Sequence, residues 1–377
     1  MIIQIEPWID HEELEQLQRV VDNTFVTEYE LTKEFESLIK DLTGSKYAVA
    51  MTNGTAALYC CLEALGIGEG DEVIVPDITF IASSNAVLMA NARPVLCDIN
   101  HKTLCIDPNK IEDLITPQTK AIMPVHLYGQ SADMDAIMEI AERHGIKVIE
   151  DAAQGVGVKF NGKHVGTFGE MGILSFYGNK TITCGEGGVV LTDCEKLRDK
   201  AYQLKNHGRL KKGTFTHESV GFNFCFTEMQ AAVGIAQLNK LSRIIERKKE
   251  IHQKYCEKLS PLKYKIPLSN RLYPIELDPR TDPVWWFTSF LTRDKNELKQ
   301  FLFEKDIQTR EFFYPLHMQP CYNNIRFDGD FSVSENMFSQ GISLPSSYHL
   351  TEKDQDYVIN SILKFYEHND QSSKTND

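Results

Sequence analysis

Lys180 is the residue of this sequence best placed to do chemistry. It lies between an apolar segment closing on Leu174, Phe176 and Tyr177 and a turn built from Gly185, Gly187 and Gly188. An amine held between a strand end and a tight turn loses solvent, its pKa falls, and the neutral form becomes a nucleophile toward an aldehyde. The expected product is a Schiff base. Taken alone, an exposed loop lysine beside a turn is the simpler reading, so two further stretches decide the matter.

Asp151 closes the apolar strand of KVIEDAAQGVG, with Gln154 three residues on. It falls at the carboxyl end of a strand, where open α/β sheets place ligands. A carboxylate there keeps a pyridinium nitrogen protonated and makes the ring an electron sink, and Gln154 can reach a ring hydroxyl. In isolation Asp151 is equally a helix cap or a metal-binding acid. In the other stretch, MTNGTAALYCCLEALG, a strand turns through Asn53 into a helix opened by Gly54, Thr55 and Ala56. Free backbone N–H groups at such a helix start suit a phosphate, although the glycine pattern is too short for a Walker or dinucleotide loop. Each signal is weak alone, and together they point to a Schiff-base enzyme.

These groups need a scaffold that brings them to one edge. From Lys46 to Thr192 apolar, β-branched strands alternate with helical stretches, which implies α/β architecture with a mainly parallel sheet between helix layers. The stretches 11–23 and 31–42 have helical spacing and are expected over the sheet edge. Residues 227–241 read as a helix with a threonine N-cap, and past Ser242 a charged helix leads into a second unit. The expected division is a large domain at 1–244 and a smaller α+β domain at 245–377, with the polar last ten residues, HNDQSSKTND, disordered.

The 377 residues, 42% hydrophobic and 25% charged, suffice for two soluble units. A net charge of −13 argues against nucleic-acid or anionic-membrane partners, which select basic surfaces. The basic run from Lys205 to Lys212 is the local exception, read as a solvated loop or as a counter-charge for substrate phosphates. Nine cysteines without a C-x-x-C pair suggest neither a disulfide framework nor a zinc site and fit a reducing cytoplasm. HEELE at His11 lacks a second histidine four residues on, so no metal is assigned. No apolar run approaches the roughly 18 to 20 residues of a membrane helix, and the first ten residues lack a signal-peptide layout. A cytoplasmic enzyme is expected.

In order, NGTAAL, DEVIVPDITFIASSNAV, VIEDAAQ, SFYGNKTITCGEGG, GFNFCFTEMQAAVGIAQL, TREFFYPLH and GISLPSS resemble the motifs of the DegT-type (DegT/StrS) sugar aminotransferases, from about Val26 to about Phe365. The resemblance implies fold type I, the aspartate aminotransferase-like architecture, with pyridoxal 5'-phosphate bound through Lys180. It assigns Asp151 to the pyridine nitrogen, Gln154 to the ring hydroxyl and Phe80 to stacking on the ring. Gly54, Thr55, Ala56 and Ser175 go to the phosphate, and Asn223 to the phosphate of a neighbouring subunit, hence a homodimer with shared sites. Cys225 stands where an arginine is usual in the family. Trp285, Trp286, Tyr314 and His317 are candidate pocket residues.

The resemblance further implies glutamate as amino donor and a nucleotide-linked keto sugar as acceptor, for surface polysaccharide biosynthesis. Lys180 followed by Thr181-Ile182-Thr183 and Gly185-Glu186-Gly187-Gly188 is most similar to members aminating carbon 4 of a 4-keto-6-deoxy sugar. Carbon 3 members tend toward KNLG and GDGG. Related dehydratases carry histidine in place of the lysine, which counts against elimination here, and a regulatory role without turnover is the remaining alternative.

Overall fold

The apolar runs between Tyr47 and Thr192 form a seven-stranded sheet in the structure, a computed structural model that describes residues 1–211, 213–264 and 272–374. Its strands are β1 (Tyr47–Met51), β2 (Glu72–Pro76), β3 (Arg93–Cys97), β4 (Thr119–Ile122), β5 (Lys147–Asp151), β8 (Met171–Ser175) and β9 (Gly188–Thr192); a hairpin, β6 (Lys159–Phe160) and β7 (Lys163–His164), interrupts the count. The order is β1-β9-β8-β5-β4-β2-β3. Strands β2, β3, β4, β5 and β8 pair in parallel, and β9 runs antiparallel to β1 and β8. The fold is that of fold type I, as the resemblance implied.

Successive side chains of a strand leave opposite faces, and here they feed two separate cores. Val49, Val73, Val75, Ile149, Ile173 and Val190 meet α3 (Gly54–Ala64), α4 (Ala82–Met89) and α7 (Glu195–Lys205) on one face. Ala48, Ile74, Ile122, Val148, Leu174 and Leu191 meet α2 (Glu30–Thr43), α6 (Met134–His144) and the first half of α8 (Glu228–Tyr264) on the other. Two buried faces explain why these strands read as continuous apolar runs. Each fully buried Val, Ile or Leu contributes about 1.5–3 kcal/mol.

Helix α1 (His11–Asn23) starts on a capping box between Asp10 and Glu13. With α2 it packs on α8 rather than simply over the sheet edge: Lys240 and Gln237 of α8, both buried, bond Glu13. Helix α2 has no cap of its own. The buried Glu228 carboxylate replaces it, accepting from Tyr29 N, Leu31 N, Thr32 N and the Thr32 hydroxyl at 2.7–2.9 Å, an anion at the positive end of a helix.

The expected boundary between 244 and 245 falls inside α8, one helix of 37 residues. Its first half joins the sheet core, while Ile251, Tyr255 and Leu259 enter a third core with α9 (Lys295–Phe303) and α11 (Glu352–Lys374). That core backs an antiparallel sheet ordered β10-β12-β14-β13, from β10 (Tyr273–Pro274), β12 (Thr288–Leu291), β13 (Arg310–Glu311) and β14 (Gly341–Leu344). β11 (Thr281–Asp282) joins the β6–β7 hairpin. The N-terminus also crosses the expected boundary, since Ile2 bridges Ile307 and Gln4 N donates to Gln308. Helix α11 has its last residue at Lys374, and 375–377 lie outside the described residues.

Candidate active site

The carboxyl ends of β5 and β8 lie side by side, because Asp151 pairs in register with Ile173, two residues before Ser175. The start of α3 closes on them. A Cβ placed on Gly54 would sit 3.1 Å from the Ser175 Cβ, so the helix opens directly against that serine. Gly188 is needed for the same approach: a Cβ there would lie 2.4 Å from the Asn53 carbonyl oxygen. Asn53 caps α3 by accepting from Ala56 N at 2.9 Å, and Ala57 N bonds the Asn53 carbonyl. The Ala56 N–H, one of the expected phosphate donors, is thus held by the helix cap in this structure. The Gly54 and Thr55 N–H groups open the same helix beside Ser175.

Asp151 is buried and accepts from the Ser83 hydroxyl at 2.7 Å and Ala153 N at 3.1 Å. Ser83 is itself fixed 3.0 Å from the Thr79 hydroxyl. Between them Phe80 leaves 55% of its surface exposed and meets Phe313 edge-on at 6.0 Å. The Gln154 carboxamide oxygen accepts from Tyr128 N at 2.9 Å, leaving its NH₂ to donate to a ligand. Tyr128 adopts φ 53°, and its buried ring stacks on Phe313 while its hydroxyl accepts from Phe313 N.

Lys180 sits in a turn closed by its N–H to the Tyr177 carbonyl at 2.9 Å. Its Nζ lies 4.3 Å from the centroid of Trp286, whose indole N–H bonds the Asn179 carbonyl at 2.6 Å. The Trp286 carbonyl is held in turn by the buried Lys248 amine at 3.1 Å. Burial lowers the Lys180 pKa to about 8, with the Arg310 charge acting in the same direction and Asp151 opposing it. The amine thus has a usable neutral fraction near pH 7.

A buried carboxylate, a helix start beside a serine and a desolvated lysine match the pyridine nitrogen, the phosphate and the aldehyde of pyridoxal phosphate. The residues fit the group. Among the described residues, no cluster of three or more His, Cys, Asp or Glu could hold a metal ion.

Other expectations divide. Trp286 joins the site, but Trp285 stacks instead on His252 of α8 at 3.5 Å. His317 is bound by Asp77 at 2.8 Å, and Tyr314 meets Phe338. Asn223 is exposed on a segment tied to α7 and the end of β1 through Phe222 N to Leu204 O, Phe224 N to Lys205 O and Thr52 N to Phe224 O. Cys225 Sγ lies 3.4 Å from the Lys205 carbonyl. Lys205 is not a loop cation: it is fully buried, bonding the Ala50 carbonyl and pairing with Glu28 at 3.0 Å. Lys212 lies outside the described residues. Ser83 and Arg310 lie inside DEVIVPDITFIASSNAV and TREFFYPLH and Tyr128 lies outside the motifs, but what singles out each of the three is a distant partner.

The profile described as the DegT/DnrJ/EryC1/StrS aminotransferase family matches residues 7–363. A GDP-perosamine synthase of Caulobacter vibrioides is 39% identical over 359 residues, covering 94% of this chain and 95% of that protein. One from Escherichia coli O157:H7 is 37% identical, covering 96% and 97%. Among solved structures, NtdA of Bacillus subtilis with bound cofactor PMP superposes with a TM-score of 0.87 at 31% identity, covering 96% of this chain and 85% of that one.

Proposed function

Because this chain belongs to the DegT/DnrJ/EryC1/StrS aminotransferase family and is a pyridoxal phosphate-dependent sugar aminotransferase, we propose that it moves the amino group of glutamate to carbon 4 of a nucleotide-linked 4-keto-6-deoxy sugar. The observation that carries this reading is the Lys180 amine, desolvated over Trp286 and within the field of Asp151. Bound pyridoxal phosphate supplies the electron sink and the carrier for the amino group. Lys180 holds the cofactor and, once released, moves a proton at its Nζ to and from the substrate carbon. Asp151 keeps the pyridine nitrogen protonated, Phe80 and Gln154 orient the ring, and Gly54, Thr55, Ala56 and Ser175 anchor the phosphate.

Carbon 4 is supported by the likeness to perosamine synthases and by the turn after Lys180. Thr183 fixes that turn, its hydroxyl donating to the Phe176 carbonyl at 3.1 Å and accepting from Gly185 N at 2.8 Å. A rigid turn beside the amine can decide which ketone carbon comes within about 3–3.5 Å of reaction. Incubation with glutamate and a panel of nucleotide-linked keto sugars is expected to give a 4-amino-4,6-dideoxy product by mass and NMR. An amine at carbon 3 beside an intact carbon 4 hydroxyl would refute the regiochemistry and leave the aminotransferase intact.

The same reading places the enzyme in the cytoplasm as a homodimer in which Asn223 serves the partner's phosphate site. Its exposure, and the exposed apolar residues Phe25, Val26, Phe215 and Val220, support this. Mixing inactive Lys180→Ala and Asn223→Ala chains is expected to restore activity, because one site of the heterodimer regains both residues. No recovery after confirmed subunit exchange would contradict a shared site.

A further inference from the structure

The small sheet carries a cation that none of the roles above uses. Arg310 and Glu311 form β13, paired with Ser343 and Ile342 of β14. Alternation along the strand separates them. Glu311 turns to Lys295 and Lys299 at 3.3 and 3.1 Å, while the Arg310 guanidinium lies 5.2 Å from the centroid of Phe287. Phe287 stacks on Trp286 at 3.8 Å, and Lys180 Nζ sits over Trp286. One two-ring stack therefore has the reactive amine against one ring and a guanidinium against the other. Two residues on, Phe312 packs on Tyr128 at 4.7 Å, so this strand leads into the Gln154–Tyr128 pair.

Arg310 is exposed, and among the described residues no carboxylate pairs with it. Its charge is nonetheless felt by the Lys180 amine and the Tyr128 hydroxyl. Such a cation on the wall of a cleft that accepts anionic substrates calls for an anion.

We propose that Arg310 is the carboxylate subsite of the amino donor, gripping it bidentately beside Lys180. A planar guanidinium matches a carboxylate in two parallel hydrogen bonds. Position selects the donor over the sugar nucleotide. In an amino acid the carboxylate is bonded directly to the carbon that loses its nitrogen. In the acceptor a whole pyranose ring separates carbon 4 from the diphosphate, which must lie farther from Lys180. This inference rests on the donor being an amino acid such as glutamate.

The test is calorimetric binding to the holoenzyme, with glutarate, a dicarboxylate lacking the amine, and GDP as separate probes. Arg310→Met is expected to weaken glutarate at least tenfold and leave GDP within twofold. Arg310→Lys, which keeps the charge and loses the fork, should fall between and serves if the methionine variant does not fold. Unchanged glutarate affinity, equal weakening of both probes, or weakening of GDP alone would overturn the assignment. Wild-type protein whose visible spectrum does not respond to glutamate would instead sink the donor reading itself, which separates the two failures.

Discussion

Lys180→Ala is expected to lose aminotransfer by at least about 10⁴-fold, since covalent attachment and proton transfer to carbon both end with the amine. The near-visible absorbance of the purified protein should vanish with it. The fold should not follow, because the amine rests on the Trp286 face, a contact worth about 0.5–2 kcal/mol. The same environment predicts a pH dependence. With its pKa lowered from 10.5 to about 8, roughly a tenth of the Lys180 amine is neutral at pH 7, against about 3 in 10⁴ for an ordinary lysine. Capture of pyridoxal phosphate by the apoprotein should therefore rise with pH and level off near 8 rather than near 10.5. A variant that stays coloured and keeps turning over would end the assignment, and a capture rate still climbing at pH 10 would remove the desolvation argument.

The second large effect is at Asp151. Asparagine has nearly the same shape: its Oδ1 keeps the bond from Ala153 N, and its NH₂ can donate to a Ser83 hydroxyl turned to accept, at a cost of no more than about 1 kcal/mol. What disappears is the negative charge. Without it the pyridine nitrogen is no longer held protonated, and kcat should fall by about 10³-fold, within the range for a positioned acid–base group. The sign at Lys180 is also determined: Asp151 raises the amine's pKa, so its removal moves capture of the cofactor to lower pH than in the native protein. A kcat within tenfold of native, with an unmoved pH profile, would leave Asp151 as a structural acid.

What was readable from the chain alone is what is local. The alternation from Lys46 to Thr192 marked the sheet because both faces of each strand are buried. Lys180, Asp151, Gln154 and the Gly54–Thr55 helix start were found because sequence neighbours put them at strand or helix ends, and all strand ends of one polarity in a parallel sheet share an edge. Asn53 as a cap was also within local reach, since its bond to Ala56 N spans three residues.

The rest depended on partners far along the chain. Ser83 holds Asp151 across 68 residues, Tyr128 meets Gln154 across 26, and Trp286 reaches Asn179 across 107. No periodicity encodes such pairs. Lys205 reads as part of a basic loop until Glu28 and the Ala50 carbonyl are found around it. The boundary near 244 reads as a change of composition until α8 proves continuous. Arg310 reads as one arginine in TREFFYP until the small sheet turns it toward Phe287. A hydrophobic pattern states which face of an element is buried; only the packing of one element on another decides which atoms that face meets.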